Sequence, residues 1–268
     1  LIKYGFVDFL SNSFGVFMNK LFKISGRCAF IFFMSIISGN PANAKYTREL
    51  YLNGEIDKYE ATKILCFTSF TSPLFILGAI SSFLNNKEVG ILILICHYLG
   101  NIIVGILMRR YHPSESIKEK HSFKNAINSM HMKRISNKEN FGVIITNSLL
   151  NSINTLLLIL GTVTVCLVLT TIIDNNINLN STMQSILNGF VEMTQGLKYV
   201  SMEPIPLKLK STIIVMILSF GGLSVHMQIM SILSDTDVKY LPFLVSRILC
   251  SFISSLLMYF SFDFWINF

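Results

Sequence analysis

The residues best placed to do chemistry in this chain of 268 residues sit at two interruptions of short apolar segments. The first interruption is Ser38-Gly39-Asn40-Pro41-Ala42-Asn43, followed by Lys45. The second is Met193-Thr194-Gln195-Gly196, preceded by Glu192 and followed by Lys198. A helix that restarts after such a break presents unpaired N–H groups and a partial positive charge, an anion-friendly end that needs no charged side chain. Lys45 and Lys198 fall in the first turn of the two restarting helices. With the tip amides they would hold a carboxylate-bearing solute; alternatively each lysine snorkels to the membrane surface or pairs with Glu49 or Glu192.

Glu192 stands deep in an apolar setting, where an ionised carboxylate is costly unless paired or wet. Its two readings are a buried pair with a lysine and a proton-coupling group. A second set of polar residues marks interruptions in longer apolar runs: Thr68, Ser69, Thr71 and Ser72 ahead of Pro73, and Ser224, His226 and Gln228 after Gly221-Gly222. These side chains either contact a ligand or satisfy backbone groups freed by the breaks. His97 reads as a helix-packing residue. Arg247, set in an apolar run, is expected to pair with Asp235 or Asp237. Five cysteines (Cys28, Cys66, Cys96, Cys166 and Cys250) fall singly with no CxxC spacing, so they read as small core residues and not as a metal or disulfide set. No HExxH, GxSxG, P-loop or paired-carboxylate pattern occurs, which favours a carrier over an enzyme and calls for no cofactor.

The elements that must position these residues follow from composition. Hydrophobic residues make up 51% of the chain and charged ones only 14%, against about 25% in a soluble domain. Apolar blocks near the roughly 20 residues that cross a bilayer as a helix make the chain an all-α polytopic membrane protein. The net charge of +7 does not point to nucleic acid, because the cations gather at the ends of apolar blocks and not among aromatic platforms. Lipid is the expected surrounding partner; a homo-oligomer is left open.

Residues 1–27 fit an interfacial or partial span. Residues 28–37 are strongly apolar but would reach only about 15 Å as a helix, so with the polar return 44–53 they read as a re-entrant hairpin. A broken span, 64–83, should kink at Pro73, and a plain span follows at 89–108. The segment 109–140 carries eight Lys/Arg against three Glu. After an amphipathic 141–151 and a span at 152–173, the order repeats: a short hairpin from 182, a broken span 211–233, and a plain span 241–262. The chain therefore divides into a first repeat with its basic loop, 1–140, and a second repeat, 141–268. Three spans between the hairpins make the repeat inverted, a plan of many secondary transporters. The basic segment then puts the mouth of the first hairpin in the cytoplasm.

Several stretches carry a family resemblance: SGNPANAK (38–45), TSPLFILG (71–78), HYLGNIIVGILMRRY (97–111), EMTQGLK (192–198) and GGLSVHMQIMSILSDTDVKYLPFLVSRI (221–248). Together they resemble the YlbJ (SpoVV) family of sporulation integral membrane proteins, in the nucleoside-recognition or Gate-domain group. That family is similar to concentrative nucleoside transporters. The resemblance implies movement of dipicolinic acid, a small rigid dianion, across the outer forespore membrane. Nucleoside or ion carriage by the same fold, and a non-transporting sporulation scaffold, are the alternatives. Family members run longer at the N-terminus, and this chain begins without Met, so an N-terminal segment is expected to be missing. The chain departs from the family pattern at Asn43, where Gly is usual, and near Ser69, where an Asn is typical.

Overall fold

The computed structural model describes residues 2–112, 123–136 and 140–266. Among these residues the chain is helical throughout, with no strand. The helix α1 (Phe6–Phe22) starts from Gly5 at φ 77° and ends at Lys23 in the left-handed region. Its 17 residues fit the partial span expected for the N-terminal stretch. Next come α2 (Cys28–Ser38) and α3 (Ala42–Leu52), packed on each other and joined by a turn in which Gly39 adopts φ 74°. The helix α4 (Lys58–Phe67) stops where the backbone unwinds through residues 68–72. It resumes as α5 (Phe75–Leu84), whose first part is π-helical. Pro73 stands in the first turn of the restarting helix, where its missing N–H has no helical partner to lose and its ring keeps the preceding residues out of the helix.

The plain helix α6 (Lys87–Met108) is capped by Asn86, whose side chain accepts from Val89 N–H at 3.0 Å. Part of the basic segment forms α7 (Phe123–Ser136). This helix lies across Gly5, so close that a Cβ there would come within 2.9 Å of Met130 Cα, and Lys133 pairs with Asp8 at 3.2 Å. Lys118, Lys120 and Lys138 of the basic segment lie outside the described residues.

The amphipathic stretch 141–151 and the span 152–173 lie on one helix, α8 (Phe141–Asn176), of 36 residues. Its polar residues do not interrupt it because Ser148, Ser152 and Thr155 each donate to the carbonyl four residues back, at 2.7–2.8 Å. The second helix pair is α9 (Ser181–Val191) and α10 (Met193–Met202). The expected break at Met193–Gly196 is corrected. Only Glu192 is non-helical, and Thr194, Gln195 and Gly196 form the first turn of α10. Gly196 and Gly189 make this tight pair possible, since a Cβ on Gly196 would collide with the Gly189 backbone. The second broken helix is α11 (Leu207–Phe220) and α12 (Gly222–Ile232), interrupted at Gly221, which takes φ 96°. The last helix is α13 (Tyr240–Ile266).

Among the described residues four stretches are long and apolar enough to cross a membrane: Lys87–Met108, Phe141–Asn176, Leu207–Ile232 and Tyr240–Ile266. The protein is a polytopic integral membrane protein. Its helix pairs are pinned at their mouths by carboxylates. Glu60 accepts from Ser25 N–H at 2.6 Å just ahead of α2. Glu203 accepts from Ser181, Thr182 and Ser185 hydroxyls at 2.6, 2.9 and 2.9 Å in the first turns of α9. Carboxylates at these N-terminal ends answer the unpaired N–H groups and the helix dipole. Buried Lys63 does the opposite service, donating to the carbonyls of Lys23 and His112 at 3.0 and 3.2 Å, after the ends of α1 and α6.

Candidate functional site

Each helix-pair tip seats against a helix break. A Cβ on Gly39 would approach Ser72 N to 2.7 Å, and Ser69 Oγ donates to Asn40 Oδ1 at 3.0 Å. The α2–α3 turn therefore rests on the α4–α5 break. In the second half a Cβ on Gly222 would approach Met193 N to 3.0 Å and Gly189 O to 3.2 Å, so the α9–α10 tip rests on the α11–α12 break. One apolar cluster holds Ala44 of α3, Leu65 of α4, Val225 and Ile229 of α12 and Phe243 of α13, with Met193 packed against it. The two tips thus meet around α12.

Between the two breaks lies a buried polar junction that sequence reasoning missed. Arg247, 1% exposed, donates to Asn101 Oδ1 at 3.0 Å and to the Cys66 carbonyl, and lies 3.5 Å from the carbonyls of Ser69 and Ser219. Its partners are the open C-terminal ends of α4 and α11, where carbonyls lack helical partners and the dipole favours a cation. The expectation of an ion pair with Asp235 or Asp237 is overturned. Asp235 is taken by Arg48, through Nε to Oδ1 at 2.8 Å and a second contact from Nη2, and Asp237 accepts from Tyr51 OH at 2.8 Å. The guanidinium succeeds without a carboxylate because its fork reaches several fixed oxygens at once.

His97 does more than pack. Its Nε2 accepts from Thr71 N–H at 3.0 Å, so the ring is neutral with its proton on Nδ1, which donates to Ser219 Oγ at 2.9 Å. One imidazole thereby ties the first break to the end of α11. The legible signal was spacing: His97 and Asn101 are four apart on α6, on one helix face, and Asn101 Nδ2 returns to His97 O at 2.9 Å.

Glu192 caps α10: its Oε2 accepts from Gln195 N–H at 2.7 Å, and it is 2% exposed. The expected pair with a lysine is replaced by this cap. The two restarting helices therefore differ, because α10 supplies its own carboxylate while α3 has no side-chain cap. Lys45 forms no ion pair with Glu49 among the described residues and donates to the Asn151 carbonyl of α8 at 3.4 Å. Lys198 is exposed on α10.

The remaining predicted site residues separate by role. Thr68 Oγ1 donates to Ile64 O at 2.7 Å, and Ser72 Oγ accepts from Phe75 N–H at 3.3 Å, so both serve the backbone at the break. His226 has both nitrogens engaged: Nε2–H donates to Phe220 O at 3.1 Å and Nδ1 accepts from Tyr240 OH at 2.9 Å. Gln195 bridges Thr170 and Tyr199 at 3.0 and 2.8 Å. Ser224 and Gln228 are buried on α12, whereas Ser38 and Thr194 are exposed. Asn43 is wholly buried, and among the described residues neither end of its carboxamide has a partner; the same holds for the Thr47 hydroxyl one turn on.

A cleft of about 360 Å³ opens where Lys45 meets α8, lined by Arg48, Asn151, Asn154, Thr155 and Asp235 among others. No group of His, Cys, Asp and Glu able to hold a metal occurs among the described residues.

No family model matches the chain, and no solved structure does. Among curated proteins it is 33% identical over 275 residues to the sporulation integral membrane protein YlbJ of Bacillus subtilis (strain 168), covering 93% of this chain and 67% of that relative.

Proposed function

From the premise that this chain belongs to the YlbJ family of sporulation integral membrane proteins, we propose that it carries a small anionic solute, with dipicolinate the first candidate, across the outer forespore membrane. The observation that carries this reading is the doubled seating of tip on break, Gly39 on Ser72 and Gly222 on Met193. Discontinuous helices with ends gathered inside the membrane are how transporters build a solute site without exposing backbone to lipid. The repeated order of helix pair, broken helix and long helix, with three crossings between the pairs, makes the two halves inverted copies.

The chemistry favours an anion. The N-terminus of α3 has no side-chain cap, Lys45 lies in its first turn, and the Asn43 carboxamide is buried with no partner among the described residues. Lys198 supplies the matching cation from the second half. Arg247 adds a fixed positive charge behind both breaks, drawing an anion inward without contacting it.

The test is uptake. Proteoliposomes bearing the full-length protein should accumulate dipicolinate above protein-free vesicles, and unlabelled dipicolinate should compete with the signal. Uptake equal to protein-free vesicles, in correctly inserted protein, overturns the reading in favour of a sporulation scaffold.

A further inference from the structure

We infer that the cleft between α3, α8 and α12 is a second, outer anion site, in which a carboxylate-bearing solute is held by Lys45 and by the Asn151 and Asn154 side chains before it reaches the tips. The inference rests on the anion-carrier reading and deepens it. Lys45 Nζ has three donors, and its one recorded contact is the Asn151 carbonyl at 3.4 Å. That carbonyl already accepts Thr155 Oγ1 at 2.7 Å. Among the described residues Lys45 forms no ion pair: Glu49, one turn along α3, interacts with it electrostatically without pairing, and Asp235 in the same cleft is held two-pronged by Arg48.

The charge on the walls decides the ligand class. Two cations and one carboxylate line the cleft, leaving one net positive charge, and that charge sits at Lys45 since the other two cancel. Asn151 and Asn154 are exposed to the cleft at its α8 wall, three positions apart on one helix face. On a helix this apolar, amides turned to lipid would be costly, so a wet cleft explains their presence. Its volume of about 360 Å³ falls in the range of about 300–1,000 Å³ that takes small ligands. The chemistry is that of an oxyanion, and two sources offer one: a solute carboxylate or a lipid phosphate. The Arg48–Asp235 pair lines the same cleft and joins α3 to the α12–α13 connection.

Binding of dipicolinate to purified full-length protein in lipid-free detergent, measured by calorimetry, separates the possibilities. Asn151→Leu and Asn154→Leu should each weaken affinity about three- to tenfold, as loss of a neutral hydrogen bond does, with unchanged melting temperature. In N154C, dipicolinate should slow modification by a charged thiol reagent; the five native cysteines are buried. Wild-type binding that both variants retain in full overturns the outer site and leaves the carrier reading standing, whereas absence of binding by wild type removes both. Protection of N154C by phosphatidylglycerol but not by dipicolinate overturns the inference in favour of a lipid site.

Discussion

Arg247 Nη1 and Asn101 Oδ1 meet at 3.0 Å in full burial, joining α13 to α6 across 146 residues of sequence. The same guanidinium reaches the Cys66 carbonyl at the end of α4. A lysine would keep the charge but, as a point donor on a flexible stem, would not span both. Arg247→Lys should therefore lower stability by about 2 kcal/mol, the worth of one hydrogen bond to a charged group. Thermal unfolding in detergent measures this; a melting temperature equal to wild type would show that the fork is dispensable.

Glu203 illustrates a pH effect outside the membrane spans. The Ser181 hydroxyl, with help from Ser185 and Thr182, holds its carboxyl below the usual glutamate range. A carboxyl whose folded value is depressed contributes stability that is complete above its unfolded value of about 4.3. That contribution fades as pH falls through the folded value. Hydrogen exchange in α9 should accordingly quicken below about pH 4 in wild type, and Glu203→Gln should lack that pH dependence. Equal acid sensitivity in both proteins would refute the role.

Glu192→Gln retains an acceptor for Gln195 N–H and should leave the α9–α10 pair intact, losing at most the dipole contribution of about 0.3–1 kcal/mol. If Glu192 couples transport to protons, the variant transports without the wild-type pH profile. A profile identical to wild type in a folded variant removes Glu192 from coupling.

Lys45 and Lys198 are tested as a pair. Each desolvated contact to a dianion is worth about 1.5–3 kcal/mol, so Lys45→Ala and Lys198→Ala should each weaken dipicolinate binding roughly ten- to over a hundredfold. Residues that share one ligand couple, and the double variant should then depart from additivity. Additive losses would place the two lysines on separate ligands or separate steps. Near-native affinity in both single variants would leave the helix ends and neutral side chains as the binding groups.

Topology is tested by single cysteines at two exposed positions, M132C on α7 and L179C between α8 and α9. A membrane-impermeant thiol reagent should reach them from opposite sides, with M132C in the cytoplasm. Labelling of both from one side would refute the inverted arrangement.

Much of the architecture was determined by the sequence alone, because hydropathy and backbone punctuation are local. Pro73, whose missing N–H is harmless at a helix start, opens the helix that follows the first break, Gly221 permits the φ of 96° that ends another, and the run of Ser38 to Asn43 marks the first tip. The lengths of α6 and α13 follow from apolar runs matched to bilayer thickness. What the sequence could not settle was where polar atoms find partners. Ser148 lay in the stretch read as amphipathic and Ser152 in the span after it, and both hydroxyls fold back onto their own helix, so α8 runs through. Glu192 looked like a buried charge awaiting a lysine, and the tight α9–α10 turn made it a cap. Arg247 looked bound for Asp235 or Asp237 by sequence proximity. Tertiary structure decided otherwise, because the unpaired carbonyls that a cation satisfies lie at helix ends brought together only by folding, the one from Cys66 being 181 residues away.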